Sequence, residues 1–224
     1  MAAALSLAER GVGRTGNNPS VGCVIVKNDI VIGRGWTQSG GRPHAEAMAL
    51  AQAGAAALGS KVYVTLEPCA HVSQRGPACA QLLMEAAPAR VIVALQDPDA
   101  RTAGEGMATL KASGIEVMAG VMASEARQNL AGFLSRMNRG GPFVTLKIAS
   151  TLDGQIAMAD GSSRWITGEI ARAHSHVERA RSDAILVGAG TVRTDTPQLT
   201  VRLAGLEMAQ PRKVMLGSGE APEG

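Results

Sequence analysis

The chain has 224 residues, 46% of them hydrophobic and only 2% aromatic, with a formal net charge of +3. That length suits two modest domains with real cores built from aliphatic side chains and methionine, and it argues against disorder. The mild positive charge, with arginines spread along the chain, fits an anionic small molecule at least as well as a nucleic acid. With so few aromatics, a stacking platform for single-stranded bases is disfavoured.

Residues 2–10 predict a helix: the opening MAAALSLAER is short, apolar and periodic, and it lacks the basic leader region of a signal peptide. A Gly/Asn loop follows and ends in Asn18-Pro19. VGCVIV (21–26) and IVIGRGW (30–36) flank Lys27-Asn28-Asp29 and predict a hairpin with a three-residue turn. The Ala-rich stretch from His44 to Ala57 predicts a helix, KVYVTLE a strand, Ala78 to Ala87 a helix and RVIVAL a strand. Residues 104–113 predict a further helix and IEVMAG a fifth strand. Two strands followed by α/β alternation are the pattern of a three-layer α/β sandwich.

A helix from about Ser124 to Asn138 leads to Arg139-Gly140-Gly141-Pro142, which marks a boundary between a domain at 1–140 and another at 141–224. Beyond it the α/β pattern restarts: FVTLKIAS predicts a strand, 168–181 a helix, DAILVGAG a strand and KVML a short strand. The terminal GSGEAPEG is polar and closes no element. No run of 18 apolar residues is present, so no membrane span is expected. Three cysteines are too few for a disulfide framework, which implies reduced thiols and a cytoplasmic address.

Two of the four histidines and two of the three cysteines fall in HAEAMAL and TLEPCAHVSQRGPACAQLL. A catalytic zinc needs three protein ligands and one open position, and His44, Cys69 and Cys79 supply that count. Pro43-His44 and Pro77-Ala78-Cys79 each open a predicted helix, where positive potential favours a thiolate. Glu46, within one turn of His44, is placed to move a proton. Taken singly, a histidine of this kind is more often a satisfied polar residue and a cysteine a small core residue; Cys23, mid-strand, is read as core. Taken together, H-x-E followed by P-C and a second Cys at a helix start match the zinc deaminase signature.

Deaminases usually space the two cysteines as C-x-x-C, whereas nine residues intervene here. That expanded loop resembles the riboflavin-biosynthesis deaminase/reductase family, although the family loop is commonly one residue shorter and a Pro commonly stands where Asn17 is found. The resemblance extends through NNPSVGCVIV, DPDARTAGEGMATLKASGIEV, RGGPFVTLKIASTLDGQIA, SSRWITGEIAR, SDAILVGAGTV and RTDTPQLTVR, nearly the whole chain. It implies a cytidine-deaminase-like α/β/α sandwich followed by a partial dihydrofolate-reductase-like α/β domain. The implied activity is zinc-dependent deamination of a phosphorylated diaminopyrimidine, with an NADPH-dependent reduction of its sugar encoded but incomplete, because the family's reductase domain continues beyond the length found here.

By the same resemblance Asn18 and His71 contact the deaminase substrate, and Arg75 lies in the loop that meets its phosphate. Ala149, Trp165, Thr191, Asp195 and Ser218 fall at NADPH positions, and Ser163, Arg179, Leu199 and Arg202 at reductase substrate positions. The partner is a small phosphorylated pyrimidine, with neither nucleic acid nor membrane expected and a homo-oligomer left open. The competing readings are a nucleoside or tRNA base deaminase and a non-catalytic zinc-binding protein. Against them stand the cysteine spacing, the TLKIASTLDG block and the intact Glu46.

Overall fold

In the computed structural model, which describes residues 1–71 and 74–218, the chain divides into one unit at Met1–Phe143 and another at Val144–Gly224. The first unit runs α1 (Ala2–Ala8), β1 (Gly22–Lys27), β2 (Ile30–Trp36), α2 (Ala45–Ala53), β3 (Lys61–Val64), α3 (Cys79–Ala86) and β4 (Arg90–Val93). It continues with α4 (Glu105–Ala112), β5 (Glu116–Ala119), α5 (Ala123–Asn129) and α6 (Ala131–Arg139).

The five strands form one sheet in the order β2-β1-β3-β4-β5. β1 runs antiparallel to both β2 and β3, and β3, β4 and β5 are parallel. Lys27 pairs directly with Ile30, so the hairpin turn has two residues rather than the three expected. Asn28 and Asp29 both have positive φ, the backbone that a tight turn between right-twisted strands demands and that Asn and Asp tolerate.

Side-chain alternation on the strands separates two apolar layers. Cys23 and Ile25 of β1, Val62 and Val64 of β3, and Val91 and Val93 of β4 face one side, where Ala45, Ala49, Leu83 and Leu110 of the helices cover them. Val24 faces the other side with Ala4 and Leu7 of α1, and Leu5 meets Ala126 of α5. The result is an α/β/α sandwich. Helix α2 lies directly on β2: a Cβ at Gly33 or Gly35 would fall 2.3 Å from the Ala49 carbonyl oxygen or 2.1 Å from that of Ala45. The single helix expected over 124–138 is two helices broken at Leu130, whose backbone leaves helical geometry (φ −95, ψ 12). Leu130 is buried there in the first apolar layer, which Phe133 and Leu134 of α6 also touch.

In the second unit α7 (Glu169–Ala180) precedes β6 (Ala184–Gly188), α8 (Ala189–Asp195) and β7 (Arg212–Leu216). β6 and β7 pair in parallel, Ala184 against Arg212 through Gly188 against Leu216. FVTLKIAS forms no strand, contrary to its pattern. Alternation makes a segment competent to pair, but a strand also needs a hydrogen-bonding neighbour, and among the described residues of this unit β6 and β7 pair only with each other. Val144, Leu146 and Ile148 are accordingly exposed.

Candidate active site

The sheet register determines where chemistry collects in the first unit. Because Cys23 pairs with Val64 and Gly22 with Trp36, the entry to β1, the exit of β2 and the exits of β3 and β4 share one edge of the sheet. The loops leaving that edge carry Asn17 to Pro19, Arg42 to His44, Glu67 to Cys69 and Asp97 to Arg101. Together they line a cavity of about 460 Å³, closed on its remaining side by Phe133, Arg136 and Met137 of α6.

At the floor of the cavity, single ligand atoms of His44, Cys69 and Cys79 lie within 4.8 Å of one another. His44 is the N-cap of α2, and Cys79 is the first residue of α3. His44 Nδ1 is 3.3 Å from Cys79 Sγ and 3.6 Å from Cys69 Sγ, and the Cys79 backbone N–H donates to Cys69 Sγ at 3.3 Å. A tetrahedral zinc with one imidazole and two thiolates has ligand–ligand edges of about 3.5–3.8 Å, so this donor set has the chemistry and the spacing that the ion requires.

These groups and Glu46 compete for protons at close quarters. The Cys69 thiol is brought down to about 4, first by the hydrogen bond from Cys79 and then by His44 and the Cys79 amide, against the opposing effect of burial. Cys79 is pushed up as the partner that keeps its proton in that pair, and burial adds to this. Burial pulls His44 down, but hydrogen bonding to Cys69 and the charges of Glu46 and Cys69 outweigh it, leaving His44 raised. Glu46 is 3% exposed, and burial raises its carboxyl despite the attraction of His44. A bound cation would relieve this whole arrangement, since it favours the deprotonated form of every ligand.

Asn18 and His71 line the same cavity. The side chain of Asn18 donates to the Thr15 carbonyl at 3.4 Å, and His71 Nδ1 lies 3.3 Å from the Thr102 hydroxyl. Arg75 does not line it; its guanidinium donates to the Gly40 carbonyl at 2.8 Å. Of the expanded loop between the cysteines, Val72 and Ser73 lie outside the described residues. Glu67, Asp97, Asp99, Arg101 and Arg136 line the cavity without having been singled out from the sequence. Asp97-Pro98-Asp99 directly after an apolar strand was the available signal for two of them; Arg136 carried none.

The second unit has its own cavity of about 520 Å³. It gathers seven of the residues named for that half: Ala149, Ser163, Trp165, Arg179, Asp195, Leu199 and Arg202. Thr191, inside α8, and Ser218 do not line it. Arg172 stacks over Trp165 at 4.4 Å. Burial and the neighbouring Arg202 hold the Arg179 guanidinium below its usual range.

Two family descriptions match the chain: residues 1–95 match the cytidine and deoxycytidylate deaminase zinc-binding region, and residues 142–223 match the RibD C-terminal domain. The riboflavin biosynthesis protein RibD of Escherichia coli is 49% identical over 207 residues, and that of Haemophilus influenzae is 50% identical over 202. The chain belongs to the RibD family. These matches cover 92% and 90% of the chain but only 56% and 54% of the two relatives, so the chain spans little more than half their length. Among solved structures, the diaminohydroxyphosphoribosylaminopyrimidine deaminase/5-amino-6-(5-phosphoribosylamino)uracil reductase of Thermotoga maritima superposes with a TM-score of 0.88 at 40% identity, covering 97% of this chain and 62% of that one. Acinetobacter baumannii RibD gives 0.84 at 48% identity, covering 95% and 60%. This RibD-family chain thus joins a cytidine-deaminase-like unit to a reductase-type α/β unit. Among the described residues, no helix is long and apolar enough to cross a membrane.

Proposed function

We propose that the first unit is a zinc-dependent deaminase of riboflavin biosynthesis. It would convert 2,5-diamino-6-(5-phosphoribosylamino)pyrimidin-4(3H)-one and water into 5-amino-6-(5-phosphoribosylamino)uracil and ammonia. The observation that carries this reading is the convergence of His44, Cys69 and Cys79 beside a buried glutamate, at the floor of a cavity in a chain of this family.

His44, Cys69 and Cys79 would hold the ion, and zinc there supplies a Lewis acid that activates water near neutral pH. Glu46 performs the proton transfers: its carboxylate takes a proton from the attacking water and delivers it to the departing amino nitrogen. Burial raises its carboxyl, which brings its proton affinity closer to that needed near neutrality. Asn18 and His71 orient the ring and sugar, and the arginines at the cavity, Arg42, Arg101 and Arg136, favour an anionic substrate over a neutral nucleoside.

The second unit would bind NADPH through Ala149, Trp165, Thr191, Asp195 and Ser218. Ser163, Arg179, Leu199 and Arg202 would hold the ribosyl phosphate whose sugar is reduced to a ribityl chain. The cationic lining supports this, with Arg179 donating to the Thr200 carbonyl at 3.0 Å and Arg202 to Gln198 Oε1 at 2.9 Å. Domain limits near 1–140 and 141–224 accompany this reading. The three free cysteines support a reducing, cytoplasmic compartment.

The test is zinc content together with ammonia release from the diaminopyrimidine ribotide, from cytidine and from tRNA. Release from the ribotide alone is the expected result; release from tRNA or cytidine alone would refute the substrate assignment.

A further inference from the structure

Glu67 is 3% exposed, and among the described residues no lysine or arginine forms an ion pair with it. Its carboxylate is satisfied by backbone instead. Oε2 accepts from the Asp97 amide at 3.2 Å and the Gly104 amide at 3.0 Å, and Oε1 accepts from the Met107 amide at 3.0 Å. Its own N–H donates to the Leu95 carbonyl at 2.8 Å. Gly104 is the N-cap of α4 and Met107 lies in its first turn, so a side chain from the loop after β3 supplies the capping acceptor that no local side chain of this helix provides.

A second contact fastens the same two pieces of chain. A Cβ at Gly106 would fall 2.0 Å from the Pro68 carbonyl oxygen and 3.3 Å from Glu67 Cγ, so the first turn of α4 rests directly on the backbone of 67–68. One residue beyond Pro68 is Cys69, a member of the cluster at the cavity floor. On the other side of the fastening lies the 96–104 loop, which brings Asp97, Asp99 and Arg101 to the cavity and places the Thr102 hydroxyl against His71.

Packing alone does not call for a carboxylate here. Burying one carries a desolvation penalty that an apolar side chain of similar size avoids, and three directed acceptor bonds are what the charge adds. Two of those bonds end on the 96–104 loop, at Asp97 and Gly104, and the third on the first turn of α4 that follows it.

Taking the deaminase reading as its basis, we propose that Glu67 is a positioning residue: it holds the 96–104 wall of the cavity in register with the Cys69 turn, so that substrate-facing groups and the metal cluster keep a fixed separation. Glu67→Gln preserves size and one carbonyl oxygen but turns an NH₂ group toward backbone N–H donors, leaving amides unpaired on at least one side.

The test uses the full chain loaded with zinc. In Glu67→Gln, amide exchange at Asp97, Gly104 and Met107 should accelerate at least about tenfold, while exchange in the β1–β2 hairpin stays unchanged and zinc remains at one per chain. The kcat/KM for ammonia release from the ribotide should fall about 10- to 100-fold, mainly through KM. Gly106→Ala, which leaves the carboxylate intact but forces α4 off Pro68, should reproduce the pattern, and it carries the test if the first variant does not fold. Unchanged exchange at the three amides overturns the proposal. So does a uniform loss of protection across the unit with KM within twofold of wild type, which is what a purely stabilising role would give. A wild-type protein inactive on the ribotide would instead defeat the deaminase reading, with the exchange measurements still deciding whether Glu67 fastens the wall.

Discussion

Arg136 Nη2 donates to the Asn17 carbonyl oxygen at 2.6 Å, joining α6 to the loop that enters β1 across 119 residues of sequence. The guanidinium also lies 5.7 Å from the Phe133 ring centroid. Asn17 adjoins Asn18, whose backbone carbonyl accepts from the Thr15 hydroxyl at 2.7 Å, so the arginine braces the outer end of a loop already tied at its inner end. Arg136→Ala should loosen the placement of Asn18. The bond is exposed, and such bonds contribute about 0.5–1.5 kcal/mol, so kcat/KM should fall about 2- to 10-fold, with Arg136→Lys in between. Steady-state ammonia release checks this; an alanine variant with unaltered kcat/KM would show that the brace has no bearing on the site.

Removing a metal ligand should have a larger and different effect. With three protein donors, loss of either Cys69 or His44 leaves two, too few for a stable zinc site. Cys69→Ser and His44→Ala proteins, dialysed against weak chelator, should contain well under one zinc per chain by elemental analysis. Full occupancy in both variants would rule out the assigned ligand set.

Glu46→Gln separates chemistry from metal binding. The carboxylate is buried beside the cluster and is not counted among its ligands, so the glutamine variant should keep its zinc. General acid–base contributions run to about 10²–10⁴-fold, and the turnover number should drop by that order. A variant within a few-fold of wild type would exclude Glu46 from the proton transfers.

How much of this could be read beforehand depends on whether a feature is local. H-A-E is a short pattern at a helix start and P-C one in the loop leaving β3, and the clustering of His44, Cys69 and Cys79 follows once that loop and the starts of α2 and α3 meet at one sheet edge. The unbroken apolar runs of VGCVIV and RVIVAL likewise report strands buried on both faces of the sheet. Two misreadings concern local backbone geometry: the two-residue turn at Asn28-Asp29 and the break at Leu130. FVTLKIAS misleads for another reason, since its pattern reports a capacity to pair and not the presence of a partner. Asp97 carried a local signal in the Asp-Pro-Asp that follows an apolar strand, whereas Arg136 reaches the cavity only through the path of α6, which no single stretch of sequence encodes. Glu67 stood in plain view in TLEPC, but its three acceptor bonds lead to a loop and helix some 30 to 40 residues away.

Asp97 offers a prediction in pH. It is 7% exposed, and burial raises its carboxyl to about 6, reinforced by the charges of Asp99, Glu67 and Cys69 and opposed by the hydrogen bond from the Asp99 amide. In the unfolded chain an aspartate titrates near 3.9. Between these values the folded protein binds more protons than the unfolded one, so the contribution of Asp97 is fully favourable below about pH 4 and is lost as pH rises through about 6. Asn retains the carbonyl oxygen that accepts from the Asp99 amide at 2.9 Å and has no charge to bury. Asp97→Asn should therefore match wild type near pH 4 and gain on it with rising pH, by about 1–3 kcal/mol at pH 7. Groups that do not sense the charge of Asp97 titrate equally in both proteins, and their effects cancel in the difference. Urea unfolding of the two proteins between pH 4 and 7 measures it; a difference that stays flat or shrinks with pH would mean that Asp97 is already ionised in the folded protein at pH 4.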